Sequence, residues 1–407
     1  MPATASSGRA KSPTRRGSRL DVRAWWHRNG WRERIAVVGV IVIAIGATVN
    51  LALGPGTIQY TGTFVATGSM SAPRAGATAT LLADGRVLIA GGRSGSGAST
   101  ALASAELYDD GSGTFAPTGS LATPRTDAGA VRLPDGRVLI AGGFGVDGSG
   151  ASVPLATAEL FDPAKGTFAA TGAMSARRAF ASMVLLADGR VLVAGGETGS
   201  DGGIAELASA EIYDPVTGTF TVTGQMHVAR EAAASALLPD GKVLIAGGST
   251  AANATGGAVT ATAELFDPTT DTFAATGSMT RALARQSAAL TLFGTVLIAG
   301  GVGPDAAAGT SSTDVYDPTT DTFLAAPPTG TARATANLVT LIDGNLLVAG
   351  GPGPADLFDL DKGTFTQTGT MVQPRIGATA TIMPRGDVLF AGGVVGTDPV
   401  ATAELYH

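Results

Sequence analysis

The chain has 407 residues, with 58 glycines, 14 phenylalanines, five tyrosines, three tryptophans and no cysteine. Without cysteine, disulfides, thiol nucleophiles and thiolate metal sites are all excluded. The net charge of −6 hides an asymmetry: residues 1–34 hold nine Lys/Arg against Asp21 and Glu33, near +7, which leaves the remainder near −13. An acidic remainder without a basic stripe argues against a nucleic-acid partner.

Residues 1–20, rich in Ser, Arg and Pro, have the composition of a disordered tail. From Ile35 to Leu53 no residue is charged, and as a helix this stretch spans roughly 28 Å, enough to cross a bilayer core of about 30 Å. Arg15, Arg16, Arg19, Arg23, Arg28, Arg32 and Arg34 precede it, with Trp25, Trp26 and Trp31 placed for an interfacial belt. The positive-inside bias then keeps residues 1–34 in the cytoplasm and exports the repeats, which begin after a short linker at 54–57. The alternative is a cleaved signal peptide and secretion. The long basic lead and the lack of a clean A-x-A site rank it second.

From residue 58 onward the chain repeats. Copies of Leu81–Gly92, LLADGRVLIAGG, end in glycine pairs beginning at Gly91, Gly142, Gly195, Gly247, Gly300, Gly350 and Gly392, at steps of 51, 53, 52, 53, 50 and 42 residues. Seven units of near-constant length mark a repeat architecture in which each unit buries its faces only against its neighbours. Each unit divides into four short runs. The first unit shows them: strand a over Ala75–Leu82, a two-residue turn at Asp84-Gly85, then strand b over Val87–Ala90. Strand b is apolar without alternation, as for a strand covered on both faces. Strand c lies around Glu106-Leu107-Tyr108 and precedes a turn that later reads Asp-Pro-x-x-Gly/Asp. Strand d carries Phe115, and its counterparts are Phe168, Phe220, Phe273, Phe323 and Phe365. These phenylalanines are expected to fill the seams between sheets.

Paired glycines after an apolar strand, an acidic-x-Tyr/Phe-Asp-Pro segment and an aromatic strand together resemble kelch repeats. The resemblance spans roughly residues 58–407 and implies an all-β, seven-bladed kelch-type β-propeller, here preceded by one transmembrane helix. Phe stands where kelch units usually have Trp. The chain opens with a lone d strand at Phe64 and closes with a lone c strand at Glu404-Leu405-Tyr406, so the first strand should complete the last blade and leave no open edge. Alternating strand direction puts the uniform a–b and c–d turns on one face and the varied b–c and d–a loops on the other. The chain would enter on the tight-turn face, which should therefore face the membrane.

Ten residues after each strand-d phenylalanine stand Arg74, Arg125, Arg178, Arg230, Arg333 and Arg375, with Leu283 breaking the series between Arg281 and Arg285. This spacing sets a ring of arginines at the loop-face mouth of the channel, able to grip carboxylate or phosphate. In some kelch domains the equivalent arginines grip acidic peptides, so the resemblance implies an anionic or protein ligand. Every unit also carries a strand-c acid, namely Glu106, Glu159, Glu211, Glu264, Asp314, Asp356 and Glu404. A feature repeated in nearly every blade equally suits a scaffold in which each arginine pairs with that acid.

The resemblance also reaches the galactose oxidase propeller, whose copper-radical site implies a cysteine-linked tyrosine and histidine ligands. Composition excludes that site: histidine occurs only at His27, His227 and His407. No cofactor and no metal site is expected, because the loop acids Asp147, Glu197, Asp201 and Asp305 lack calcium-loop spacing. Sugar binding has only Phe144 and Phe180 as aromatic platforms. The reading is a membrane-anchored extracytoplasmic propeller that binds a protein or an anionic ligand. The alternatives are an epimerase- or lyase-type enzyme using His227, Arg230 and Glu231 at the channel mouth, and a structural surface protein.

Overall fold

The computed structural model describes residues 60–96, 100–199, 205–253, 256–304 and 308–407. The basic lead, the apolar segment 35–53 and the linker 54–57 lie outside them. The described residues form an all-β propeller of seven four-stranded antiparallel sheets. Blade 1 comprises Thr78–Leu81, Val87–Ala90, Ala105–Asp109 and Thr114–Pro117, as strands a to d from the axis outward. Strand a of every blade contacts the strand a on either side, which closes the ring around a central channel.

Closure is as the chain ends foretell. Phe64–Ala66 pairs with Ala403–Tyr406, Phe64 opposite Tyr406, to give blade 7 its outer strand. Strand b needs no alternation because both of its faces are inside. In blade 1, Val87 and Ile89 pack toward blade 7 with Met383 and Leu389, whereas Leu88 and Ala90 pack toward blade 2 with Val138 and Ile140. Each blade thus shares its core with two neighbours, and none has a core of its own.

The seams are filled in two layers, not by strand-d phenylalanines alone. The strand-c aromatics Tyr108, Phe161, Tyr213, Phe266, Tyr316, Phe358 and Tyr406 are fully buried, and each ring stands against the phenylalanine of its own strand d at about 5 Å. The four tyrosines also meet the hydroxyl of a threonine leaving the preceding blade, such as Thr67 at 2.8 Å from the Tyr108 hydroxyl.

The a–b turn differs from the two-residue form read at Asp84-Gly85. Leu82 and Arg86 bond across it, so the loop has three residues, and of Asp84 and Gly85 only Gly85 has positive φ, at 89°. A two-residue type I′ turn would need positive φ at both positions. Asp84 instead keeps an ordinary φ and accepts the Arg86 amide and guanidinium. In the c–d turn the last loop position is left-handed in blades 1 to 6, at Gly113, Gly166, Gly218, Asp271, Asp321 and Gly363, which explains why only Gly or Asp stands there.

The chain enters where the strand directions require. The Tyr60 hydroxyl donates to Gly386 O at 2.8 Å and accepts from the Ile342 amide at 3.3 Å, so it bridges the a–b turns of blades 7 and 6. Its ring stacks on Tyr406. Truncating Phe64, which is 8% exposed in the last seam, should therefore loosen the ring at its closing joint. Phe64→Ala is expected to cost about 3 kcal/mol in denaturant unfolding, and an unchanged midpoint would refute closure through this strand.

Candidate functional site

The arginine series marks the structure's most regular bonding pattern, and its side chains do not face the channel mouth. Arg74, Arg125, Arg178, Arg230, Arg333 and Arg375 are each 1–2% exposed, with guanidinium groups turned into the blade. Arg74 is typical. Its Nη1 donates to the carbonyls of Gly91 and Ser104, and its Nη2 donates to Ser104 Oγ and Glu106 Oε1. The six arginine–acid pairs have separations between 2.7 and 3.1 Å. Burial lowers the pKa of five of them, Arg125, Arg178, Arg230, Arg333 and Arg375, against the raising effect of the partner acid. The reading of these six as a basic ring open to an anion is corrected in this respect: residue spacing fixed where their backbones lie, but the side chains are spent on internal partners.

The acid completes the arrangement. In blade 2, Glu159 takes Arg125 and also the amides of Ala122 and Thr123 in the loop that leads into the blade. The arginine backbone bonds the other way, across the seam. Gly92 N–H donates to Arg125 O, and the same bond recurs at all seven junctions, including Gly248 to Leu283 O and Gly393 to Arg74 O. A Cβ on Gly91 would come within 2.5 Å of Arg125 O, so the glycine pair is required by close backbone approach. In blade 5, Leu283 replaces arginine, and Asp314 is held instead by the Thr280 amide and hydroxyl. Burial leaves that carboxyl above its ordinary range.

His227, Arg230 and Glu231 do not converge. His227 and Arg230 share Glu264, through His227 Nδ1 at 2.8 Å and Arg230 Nη2 at 3.0 Å. Burial pushes Glu264 up, but these bonds and the His227 and Val228 amides outweigh it and hold its pKa low. Glu231 faces another group. Its carboxyl lies against that of Glu197, which immediately follows the glycine pair of blade 3 and pairs across a small hairpin with Glu206. Glu197 and Glu231 are each 8% exposed, and Glu231 Oε2 and Glu206 Oε2 are buried without a hydrogen-bond donor. Burial, then Glu231, pushes the Glu197 carboxyl up to about 7.

This acid group adjoins a strained rim. Asp127, Phe180, Ala232 and Arg285, each two residues past the arginine position of blades 2 to 5, have φ between 48° and 62°. Their amides form a belt around the channel: Asp127 donates to Gly76 O, Phe180 to Asp127 O, Ala232 to Phe180 O and Arg285 to Ala232 O. The Arg285 guanidinium lies 5.6 Å from the Phe180 ring centroid, and Phe144 meets that ring edge-on at 5.7 Å. Asp127 is raised by burial. The outer loop acid Asp147 only ties its own hairpin turn, accepting from Ser149 and Ala151, while Asp201 and Asp305 lie outside the described residues. A signal for Glu231 and Glu206 is present in the repeats: acids stand at these offsets in no other blade.

The geometry yields two measurable outcomes. Arg178→Ala leaves Glu211 buried without its cation and should cost ~3–5 kcal/mol in chemical denaturation, whereas exposed Arg281→Ala should stay within about 0.5 kcal/mol; equal effects would remove the scaffold role. For Glu197, whose folded pKa lies above its ordinary 4.5, the stabilisation is full below pH 4.5 and lost as pH rises through 7. Glu197→Gln should accordingly be more stable than the parent at pH 8 by ~1–3 kcal/mol, with the gain fading toward pH 5 in thermal melts.

No protein-family model and no curated protein sequence matches the chain. Solved structures do. A copper-bound fungal alcohol oxidase of the AA5 family superposes with a TM-score of 0.63 at 18% identity, over 84% of this chain and 75% of that one. YjhT superposes with a TM-score of 0.54 at 14% identity, over 83% of this chain and 95% of that one. At these identities the likeness is one of fold alone, that of a β-propeller.

Proposed function

We propose that the chain is a membrane-anchored, extracytoplasmic kelch-type propeller that acts as a binding module through its loop face. The observation that carries this reading is the division of labour between the two faces. Tyr60 seats the start of the propeller on the tight-turn face, and only six residues separate it from Leu53 at the end of the apolar segment. Such a tether reaches at most about 25 Å, so the tight-turn face would lie close to the bilayer. That face also bears exposed Leu292, Phe293 and Ile342 on the a–b turns of blades 5 and 6, where blades 1 to 4 have Asp-Gly followed by Arg or Lys.

The loop face carries the diversity. Hairpins rise from it in blades 2, 3, 4 and 7, and the unpaired carboxylates lie at its channel mouth. With the arginine ring spent internally, an anionic ligand loses its chief support, and a protein or a ligand read by the mouth acids gains it. A second reading as an enzyme of epimerase or lyase type has one specific observation in its favour: a carboxyl poised near neutrality beside a second one suits proton transfer. Turnover abolished by Glu197→Gln in a folded protein would establish it.

The topology is testable because the chain contains no cysteine. Ser149→Cys, on the exposed blade 2 hairpin, should react with a membrane-impermeant maleimide on intact cells, whereas Ser7→Cys should react only after lysis. The reverse pattern would overturn the extracytoplasmic placement. Labelled propeller recovered from the medium would replace anchoring with secretion.

A further inference from the structure

We propose that Glu197, Glu206 and Glu231, where blades 3 and 4 meet at the channel mouth, form a binding site for a primary ammonium group. The inference rests on the loop face being the ligand-binding face and names the chemistry it would select. Three carboxyl groups lie together in a largely buried place. Among the described residues none of them has a Lys, Arg or His nitrogen within ion-pair distance. The cation that acts on Glu197 is Arg285, held over the Phe180 ring instead. Glu231 is more than nine-tenths buried, and its Oε2 has no donor.

A shared proton can satisfy one Glu197–Glu231 contact, but it leaves net negative charge in a desolvated site. Such charge is costly unless paired. The cation that suits it is set by geometry. No group of three His, Asp or Glu among the described residues is disposed to hold a metal ion. A primary ammonium carries three donors that point apart and can meet three separate carboxyls. Ala179 bridges to Glu197 on the same rim, and the Phe180 ring beside it already carries the Arg285 guanidinium, which keeps that cation from neutralising the acids. The ammonium could come from a free small amine or from a lysine side chain of a protein partner.

The charged groups facing Glu197 are Glu206 across its hairpin, Glu231 from the segment leading into blade 4, and Arg285 from blade 5. Since burial and then Glu231 push the Glu197 carboxyl up to about 7, ammonium binding should displace its proton and strengthen from pH 6 to pH 8.

Isothermal titration calorimetry on the full chain in detergent, at pH 8, tests the site with cadaverine and Nα-acetyl-lysine amide as ammonium probes. Nα,Nε-diacetyl-lysine amide and calcium chloride serve as controls. Both ammonium probes should bind and neither control should. Glu231→Gln should weaken binding at least tenfold, Glu197→Gln should flatten the pH dependence, and Asp147→Asn should change nothing. Tighter binding of the lysine amide assigns the site to a partner's lysine, and tighter binding of cadaverine assigns it to a free amine. Absent binding, equal binding of the diacetyl control, calcium in place of amines, or indifference to both Glu231→Gln and Glu206→Gln would overturn the site. The maleimide labelling is independent of all these results, so a failed pocket and a failed topology are distinguishable.

Discussion

A buried guanidinium holds this ring at its joints. Each arginine side chain ties the segment leading into its blade to the end of strand b and to the strand-c acid, while its own carbonyl receives the second glycine N–H of the blade before. One residue thereby fixes a loop within a blade and a blade against its neighbour. The glycine pair is a consequence of this: a side chain on the first glycine would strike the arginine carbonyl, and one on Gly92 would reach 2.9 Å from Ala75 O. Ion pairing as such is not the reason for the arrangement, since buried pairs often gain little over apolar packing. Blade 5 shows as much. There Leu283 and Asp314 do without the guanidinium, and the backbone bond to Gly248 persists.

Because the joint is built mostly from backbone atoms and one side chain, its backbone bond is copied seven times and its arginine six, and copying is what makes the fold legible. The glycine period gives the blade count, the lone Phe64 and Tyr406 strands give the closure, and the unalternating VLIA runs give strands buried on both faces. What spacing cannot give is direction. Ten residues from a phenylalanine fixes where an arginine backbone sits, but only the first-glycine carbonyl and the strand-c acid explain why its side chain turns inward. The turn at Asp84-Gly85 escapes a two-residue reading for a similar reason. A dipeptide specifies which residue tolerates positive φ, not how many residues the loop needs.

The acid group is legible only as a departure from the pattern, because it is not repeated. Glu197 and Glu231 lie 34 residues apart and belong to different blades, so the ring alone brings them together. In a repeat protein the shared pattern describes the scaffold, and the departures describe what has been placed on it. The rim strain has the same character. Gly76 and Gly377 adopt the left-handed conformation at no steric cost, whereas Asp127, Phe180, Ala232 and Arg285 hold it with side chains attached. Side chains kept at a strained position, beside carboxylates kept without partners, mark a place where stability alone does not explain the residues.

These departures are not scattered around the ring. Glu197 and Glu206 in blade 3, Glu231 in blade 4, Leu283 and the Leu292-Phe293 turn in blade 5, and Thr329 where other blades place Met or Leu before blade 6 all fall on one side. The seam between blades 5 and 6 is correspondingly divided into two small apolar groups, one around Leu297 and Phe358 and one around Ala299 and Val348. The arginine–acid pair itself is lost only in blade 5; blades 3, 4 and 6 keep it beside their departures. The joint that lacks chain connectivity is the pairing of Phe64–Ala66 with Ala403–Tyr406 inside blade 7, and that blade keeps both Arg375 and Glu404. The arginine joint is therefore retained even in blades whose loops have changed, which separates the bonding that closes the ring from the residues placed on its face.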